Sequence, residues 1–180
     1  AGQQPLLNRM WIAAMRFASD QVIAVSNAVA AQLPGNVRAR VLYFPVGRAL
    51  EAKPFMPPDS GGDPVPIKFL YLANYIRGKG QDHAIRAFAA LRNGCASARL
   101  RFVGGDMGLA KNAAYRDELV AEASRLGVGE CVEFWGQTGD VVTEIENADV
   151  VLNFSQSESF SHTCVEAGLL GRPVIATRCG

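Results

Sequence analysis

Hydrophobic positions after residue 65 alternate between two patterns, short continuous apolar runs and longer stretches with helical spacing. Continuous runs bounded by polar residues are typical of buried strands, and repeats at i, i+3 and i+4 are typical of amphipathic helices. The runs that predict strands are IKFLYLA, ARLRFVG, CVEFWG, DVVLNFS and PVIAT, and the helices predicted between them are QDHAIRAFAALR, KNAAYRDELVAEASRL, GDVVTEIENA and HTCVEAGLL. Strands that alternate with helices predict an α/β fold with a doubly wound parallel sheet.

The residues before this region contain a smaller α/β step. QVIAVS predicts a strand, and Ser26 at its end is a good N-cap for a following helix. Residues 39–46, ARVLYFPV, predict a second strand, after which proline and glycine become frequent, as in a linker. We therefore expect three segments: residues 1–46 as a fragment of one α/β domain, residues 47–64 as a linker, and residues 65–180 as a Rossmann-like domain.

Loops rich in glycine and polar residues follow four of the predicted strands, at residues 74–80, 104–108, 136–139 and 155–161. The carboxyl ends of parallel strands meet at one edge of a sheet, where ligands bind in doubly wound folds. We expect these loops to line a single crevice. Trp135, at the end of CVEFWG, is interpreted as a core residue.

The loop ANYIRGKG leads directly into a predicted helix. Free amides at a helix N-terminus bind anions, Gly78 and Gly80 allow close backbone approach, and Lys79 adds a positive charge. These features predict a diphosphate site, with a solvated surface loop as the alternative. The loop is not a P-loop, because no serine or threonine follows Lys79.

Two glutamates, Glu158 and Glu166, flank the turn from DVVLNFS into the last predicted helix. A carboxylate accepts hydrogen bonds from the hydroxyls of a ribose or of another sugar, so a nucleotide-sugar site needs such groups. Without their sequence context, two glutamates at this spacing would be interpreted as solvated surface residues. A glycoside hydrolase that uses them as acid and nucleophile is an alternative, but hydrolysis provides no diphosphate for the cationic loop to neutralise.

Composition excludes several other classes. The chain has 18 basic and 17 acidic residues, so its net charge of +1 gives no basic surface typical of nucleic-acid binding. The four cysteines and two histidines lack metal-ligand spacing, which predicts a reduced protein without a zinc site. FVGGDMG is not a G-x-G-x-x-G fingerprint, which disfavours a dinucleotide dehydrogenase. No apolar run is long enough to predict a transmembrane segment.

The segment SESFSHTCVEAGLLGRPVIATRCG resembles the family 4 (group 1) retaining glycosyltransferases of the GT-B fold. The C-terminal domain of that family carries two glutamates separated by seven residues, then a helix and a G-x-P-V strand. The resemblance implies that Lys79 and Arg77 hold the diphosphate of the donor, with Asn74 standing where an arginine is usual. It also implies that Glu158 contacts the donor sugar and Glu166 the ribose. By resemblance, the residues of the catalytic group are Lys79, Arg77 and Glu158, and those of the donor site are Asn74, Gly78, Gly80, Gln137, Thr138, Ser159, Phe160, Ser161, His162 and Glu166.

The implied reaction is metal-independent, retaining transfer of a hexose from a nucleotide-diphosphate sugar to an acceptor hydroxyl, in polysaccharide, lipopolysaccharide or lipid glycan synthesis. No cofactor is implied. Residues 1–46 would be the tail of an N-terminal acceptor domain and residues 65–180 a C-terminally truncated donor domain. A glycan or lipid-linked acceptor would bind through the missing domain, so the isolated chain is expected to be inactive.

The expected location is cytoplasmic, with the full-length protein peripheral at the membrane. The alternative is a non-catalytic nucleotide-binding or interaction module of the same fold, because Asn74 and Ser161 depart from the usual family residues. The nucleotide, the sugar and the acceptor stay open at this stage.

Overall fold

The computed structural model describes residues 10–14, 18–35, 37–46, 52–54 and 66–179. The chain divides into two compact units, Ala1–Pro45 with Gly180, and Val46–Cys179. Only residues 52–54 of the linker predicted at 47–64 are among the described residues, so the three-segment division stays a prediction.

The first unit contains a parallel pair of short strands, β1 (Val22–Ala24) and β2 (Ala39–Val41), joined through helix α1 (Asn27–Ala31). Ser26 caps α1 as its sequence position predicts, since its side chain accepts a hydrogen bond of 3.2 Å from the amide of Val29. The strand predicted at 39–46 ends at Val41, the last residue paired with β1, and one further bond of 2.9 Å runs from the Leu42 amide to the Ala24 carbonyl.

The second unit alternates strands and helices as the hydrophobic pattern predicts. Its elements are β3 (Lys68–Leu72), α2 (Gln81–Arg92), β4 (Arg99–Val103), α3 (Ala110–Arg125), a 3₁₀ turn (Gly129–Cys131), β5 (Val132–Trp135), α4 (Val141–Glu146), β6 (Val150–Asn153), α5 (His162–Leu169) and β7 (Val174–Ala176). All neighbouring strands are parallel, in the order β5-β4-β3-β6-β7. The predicted doubly wound α/β fold is confirmed.

Strand β3 occupies the centre of this sheet. The chain runs outward from β3 through β4 to β5, then returns to the other side of β3 to form β6 and β7. The loops after β3 and β6 therefore leave the sheet in opposite directions. A crevice opens at such a reversal, and it is the usual ligand site in doubly wound sheets.

The central strand is buried on both faces. Side chains alternate along a strand, so Leu70 and Tyr71 point to opposite faces. Tyr71 belongs to a core cluster with Ile85 and Phe88 of α2, and Leu70 packs in a second cluster with Ile145 of α4. Helices cover both faces of β3, which fixes the strand from which the loop carrying Lys79 begins.

The interpretation of Trp135 as a core residue is wrong. Trp135 is 53 % exposed at the end of β5, which is an edge strand of the sheet. Its indole N–H donates to Glu133 at 3.0 Å, and the Arg101 guanidinium lies 5.0 Å from its ring centroid. A cation over the ring face and a partner for the indole N–H stabilise an exposed tryptophan at the sheet surface.

Candidate functional site

A cavity of about 270 Å³ lies at the carboxyl edge of the sheet, where the polar loops were predicted to meet. Four predicted donor-site residues from two loops and one helix line it: Asn74, Gln137, Thr138 and Glu166. The remaining wall includes the backbone-rich ends of β3 and β4 at Ala73 and Gly104. Asn74 and Glu166, 92 positions apart in the sequence, therefore share one cavity.

Asn74 has a structural role that its sequence position did not reveal. Its side-chain oxygen accepts a hydrogen bond of 3.0 Å from the Gly105 amide, and its carbonyl accepts one of 2.9 Å from the Gln81 side chain. These bonds tie the loop after β3 to the loop after β4 and to the start of α2. Asn74 therefore holds the wall of the cavity in place, besides lining it.

Lys79 and Glu158 form an ion pair across the point where the strand order reverses. Lys79 Nζ lies 2.8 Å from Glu158 Oε1, and Ser155 Oγ donates to the same oxygen at 2.7 Å. The Lys79 side chain is 30 % exposed and the Glu158 side chain 16 %. The structure thus brings together one cation and one carboxylate of the predicted site, at a position that a ligand can still reach.

Tyr71, which was not among the predicted site residues, connects the two loops that carry this ion pair. Its hydroxyl donates to the Lys79 carbonyl and accepts a hydrogen bond of 2.7 Å from the Phe154 amide. The side chain is 1 % exposed, and desolvation by burial raises the pKa of Tyr71 well above its ordinary value. The hydroxyl therefore keeps its proton and can act as a donor. A tyrosine within an otherwise apolar central strand was the available signal.

Gly80 allows the same two loops to pack closely. It has φ +80°, and a Cβ built there would lie 2.0 Å from the Phe154 carbonyl oxygen. Only glycine combines this left-handed conformation with such an approach. The closest neighbour of Gly80 is thus the protein backbone of residue 154. Gly78 also has a positive φ, and its carbonyl accepts a hydrogen bond of 2.9 Å from the Gln156 amide.

The family of proteins described as Glycosyl transferases group 1 matches residues 53–180 of this sequence. The chain belongs to this family. The resemblance stated from the glutamate-containing segment is confirmed. A curated relative, the D-inositol 3-phosphate glycosyltransferase of Corynebacterium jeikeium (strain K411), is 36 % identical over 114 residues, which cover 61 % of this chain and 27 % of the relative.

Solved glycosyltransferase structures share the fold. HepE from Anabaena, crystallised in complex with UDP-glucose, matches 99 % of this chain and 50 % of its own with a TM-score of 0.80 and 24 % identity. Sucrose-phosphate synthase from Thermosynechococcus elongatus matches 100 % of this chain and 47 % of its own with a TM-score of 0.77 and 22 % identity. This group 1 chain thus spans about half the length of the solved structures it matches.

Arg77, the second cation assigned to the diphosphate, points to a different partner in this group 1 chain. Its guanidinium pairs with Glu118 of α3 and lies 4.9 Å from the Tyr115 ring centroid. The side chain is more exposed than that of Lys79. To bind a diphosphate, Arg77 would have to exchange Glu118 for the ligand, so its assignment stays a prediction.

The loop after β6 places its remaining predicted residues at the start of α5. The Ser161 hydroxyl caps this helix by accepting from the Cys164 amide at 3.3 Å, and it accepts from Asn153 Nδ2 at 2.8 Å. The rings of Phe160 and His162 meet edge to face with centroids 5.1 Å apart. Ser159 is exposed. The Ser161 hydroxyl oxygen accepts both bonds from within the protein, which leaves its O–H and its backbone groups as means of contacting a donor.

Two general findings complete the site. Within the described residues, no three His, Cys, Asp or Glu side chains come together as metal ligands would. In the same part of the chain, no helix has the length and apolar character needed to cross a membrane.

Proposed function

We propose that this chain binds the nucleotide-diphosphate sugar of a group 1 glycosyltransferase at the carboxyl edge of its five-stranded sheet. The observation that carries the proposal is the meeting of Lys79 and Glu158 at the strand-order reversal, 2.8 Å apart and partly accessible. The neighbouring cavity that contains Glu166 and Gln137 supports it, because it provides a carboxylate and loop backbone beside the same edge.

Each residue has a distinct part in the proposed reaction. Lys79 and the free amides at the start of α2 stabilise the charge that develops on the diphosphate as the bond to the sugar breaks. Because this charge grows toward the transition state, the interaction accelerates the reaction rather than only binding the donor. Glu166 accepts hydrogen bonds from the ribose, Glu158 accepts them from sugar hydroxyls, and both act as positioning groups.

The finer features of the reaction are part of the same proposal. We propose a retaining transfer of a hexose to an acceptor hydroxyl, without a metal ion, since Lys79 provides a positive charge at the leaving group. The names of relatives support a nucleotide-sugar donor, because HepE was crystallised with UDP-glucose. A glycan or lipid-linked acceptor, a cytoplasmic location and peripheral membrane contact of the full-length protein stay predictions.

Titration calorimetry with UDP, GDP, ADP and UDP-glucose tests the donor site directly. We expect the 180-residue chain to bind at least one nucleoside diphosphate. If the chain binds none of the four ligands, the proposed function is contradicted.

The two glutamates should separate in the same assay. Glu166→Gln should weaken UDP and UDP-glucose alike, by about tenfold, because a hydrogen bond to a charged group contributes roughly 1.5–3 kcal/mol. Glu158→Gln should instead reduce the affinity of UDP-glucose relative to UDP. Glu133→Gln removes the same charge from the middle of β5 and serves as the control. Equal relative losses of both ligands in the Glu158 variant would argue against its role at the sugar.

The isolated 180-residue chain should bind donor without transferring sugar. The solved structures that it matches are about twice as long, and correct orientation of two reactants is worth roughly 7–11 kcal/mol of barrier. Incubation with radiolabelled nucleotide sugars and a membrane extract measures transfer. Labelled lipid or polysaccharide would contradict this prediction, and donor binding without transfer by the full-length protein would favour the non-catalytic module.

A further inference from the structure

The proposed diphosphate-binding cation has an anionic partner within the chain itself. Glu158 Oε1 lies 2.8 Å from Lys79 Nζ, the distance of a direct charge-assisted hydrogen bond. A lysine ammonium is a compact point charge, so an anion bound to it occupies one of its strongest interaction directions. The carboxylate therefore occupies one of the three donor positions of the ammonium, all of which a diphosphate oxygen could use.

Glu158 is held at this position from a second side. The Ser155 hydroxyl donates to the same oxygen, and Ser155 is buried. Its amide in turn donates to Asn153 Oδ1 at 3.1 Å, and its carbonyl accepts from the Thr177 hydroxyl at 2.6 Å. Ser155 is thus fixed to the ends of β6 and β7. The carboxylate cannot swing fully away without breaking a hydrogen bond to this fixed hydroxyl.

A nucleoside diphosphate that approaches Lys79 must therefore meet Glu158 at contact distance. A diphosphate oxygen that bonds to Lys79 along the same direction displaces the carboxylate. The carboxyl group then has a free acceptor position close to the diphosphate, where the donor sugar is attached.

We propose that Glu158 is an internal competitor of the diphosphate for Lys79, so that a bound diphosphate takes the place of the carboxylate on the ammonium. This inference rests on the proposed function, since it assigns the diphosphate to Lys79. Release of Glu158 by the diphosphate frees the carboxylate to accept hydrogen bonds from the sugar. Binding of the diphosphate and binding of the sugar are therefore coupled. A free hexose without a diphosphate finds Glu158 engaged with Lys79.

Calorimetry with UDP, GDP and ADP on the 180-residue chain tests this competition. Glu158→Gln keeps the shape and the hydrogen-bonding capacity of the side chain and removes its charge. We expect the variant to bind the nucleoside diphosphate about three- to tenfold more tightly, because the binding-competent open state becomes more populated. Its preference for UDP-glucose over UDP should fall in the same experiment.

Two further variants show whether the higher affinity of Glu158→Gln depends on Lys79. Glu133→Gln lowers the negative charge equally at a strand position paired with Arg101, and its affinity should match the wild type. In a Lys79→Ala background, Glu158→Gln should give a clearly smaller gain than in the wild type, because the competition acts through Lys79. An undiminished gain in that background would overturn the competition and indicate direct repulsion between Glu158 and the ligand.

The outcomes separate this inference from the proposed function. Wild-type binding of a nucleoside diphosphate with an equal or weaker affinity in Glu158→Gln overturns the competition and leaves the donor site intact. Binding by Glu158→Gln alone supports both. Absence of binding in the wild type and in Glu158→Gln overturns both.

Discussion

Lys79→Ala should weaken nucleoside diphosphate binding by about ten- to a hundredfold, because charge-assisted hydrogen bonds contribute roughly 1.5–3 kcal/mol. The substitution removes the cation at the strand-order reversal and leaves Glu158 near the ligand without its partner.

Titration calorimetry with UDP, GDP and ADP measures this loss. Lys68→Ala is the matched control, because Lys68 begins the same strand, β3, at the amino edge of the sheet. We expect the control to bind as the wild type does. An unchanged affinity in Lys79→Ala would remove Lys79 from the diphosphate site.

The second large effect is on stability. Gly80→Ala should lower the free energy of unfolding by about 2–5 kcal/mol. Roughly 1–2 kcal/mol comes from the left-handed backbone and about 1–3 kcal/mol from overpacking. The added methyl group would lie 2.0 Å from the Phe154 carbonyl oxygen, and backbone on both sides must move to accept it. Urea denaturation followed by circular dichroism measures the difference.

Gly127 provides a control that isolates the contact. It has φ +70°, close to that of Gly80, but a Cβ built there meets nothing within 4 Å. Gly127→Ala should therefore cost only the backbone term of about 1–2 kcal/mol. Equal losses in the two variants would show that the approach to Phe154 contributes no strain.

The elements of the second unit were predictable because their signals are local. The helix predicted from QDHAIRAFAALR is found at Gln81–Arg92 without a shift, since its apolar spacing and its glycine-bounded start lie within the sequence segment itself. The strand predicted from DVVLNFS is shorter, at Val150–Asn153, because the ladder partners of β6 set its ends. Register between strands distant in sequence is not encoded in either strand alone.

The site was predictable to the extent that loops following parallel strands share an edge. That rule places Asn74, Gln137 and Glu166 in one cavity. It does not give the partner of each side chain. Arg77 and Lys79 are two residues apart, yet one pairs with Glu118 of α3 and the other with Glu158 after β6. Their directions depend on the positive φ of Gly78 between them, which the sequence leaves open.

The Tyr71 hydroxyl, which joins the Lys79 carbonyl to the Phe154 amide, also limits how this protein can be redesigned. Suppose that the loop after β3 is moved into a related protein. The moved loop would keep its geometry only if that protein has a tyrosine at the position of Tyr71 and the same backbone course at residue 154. The segment after β6 is therefore part of any such graft. The smallest transplantable unit comprises both loops with the tyrosine between them.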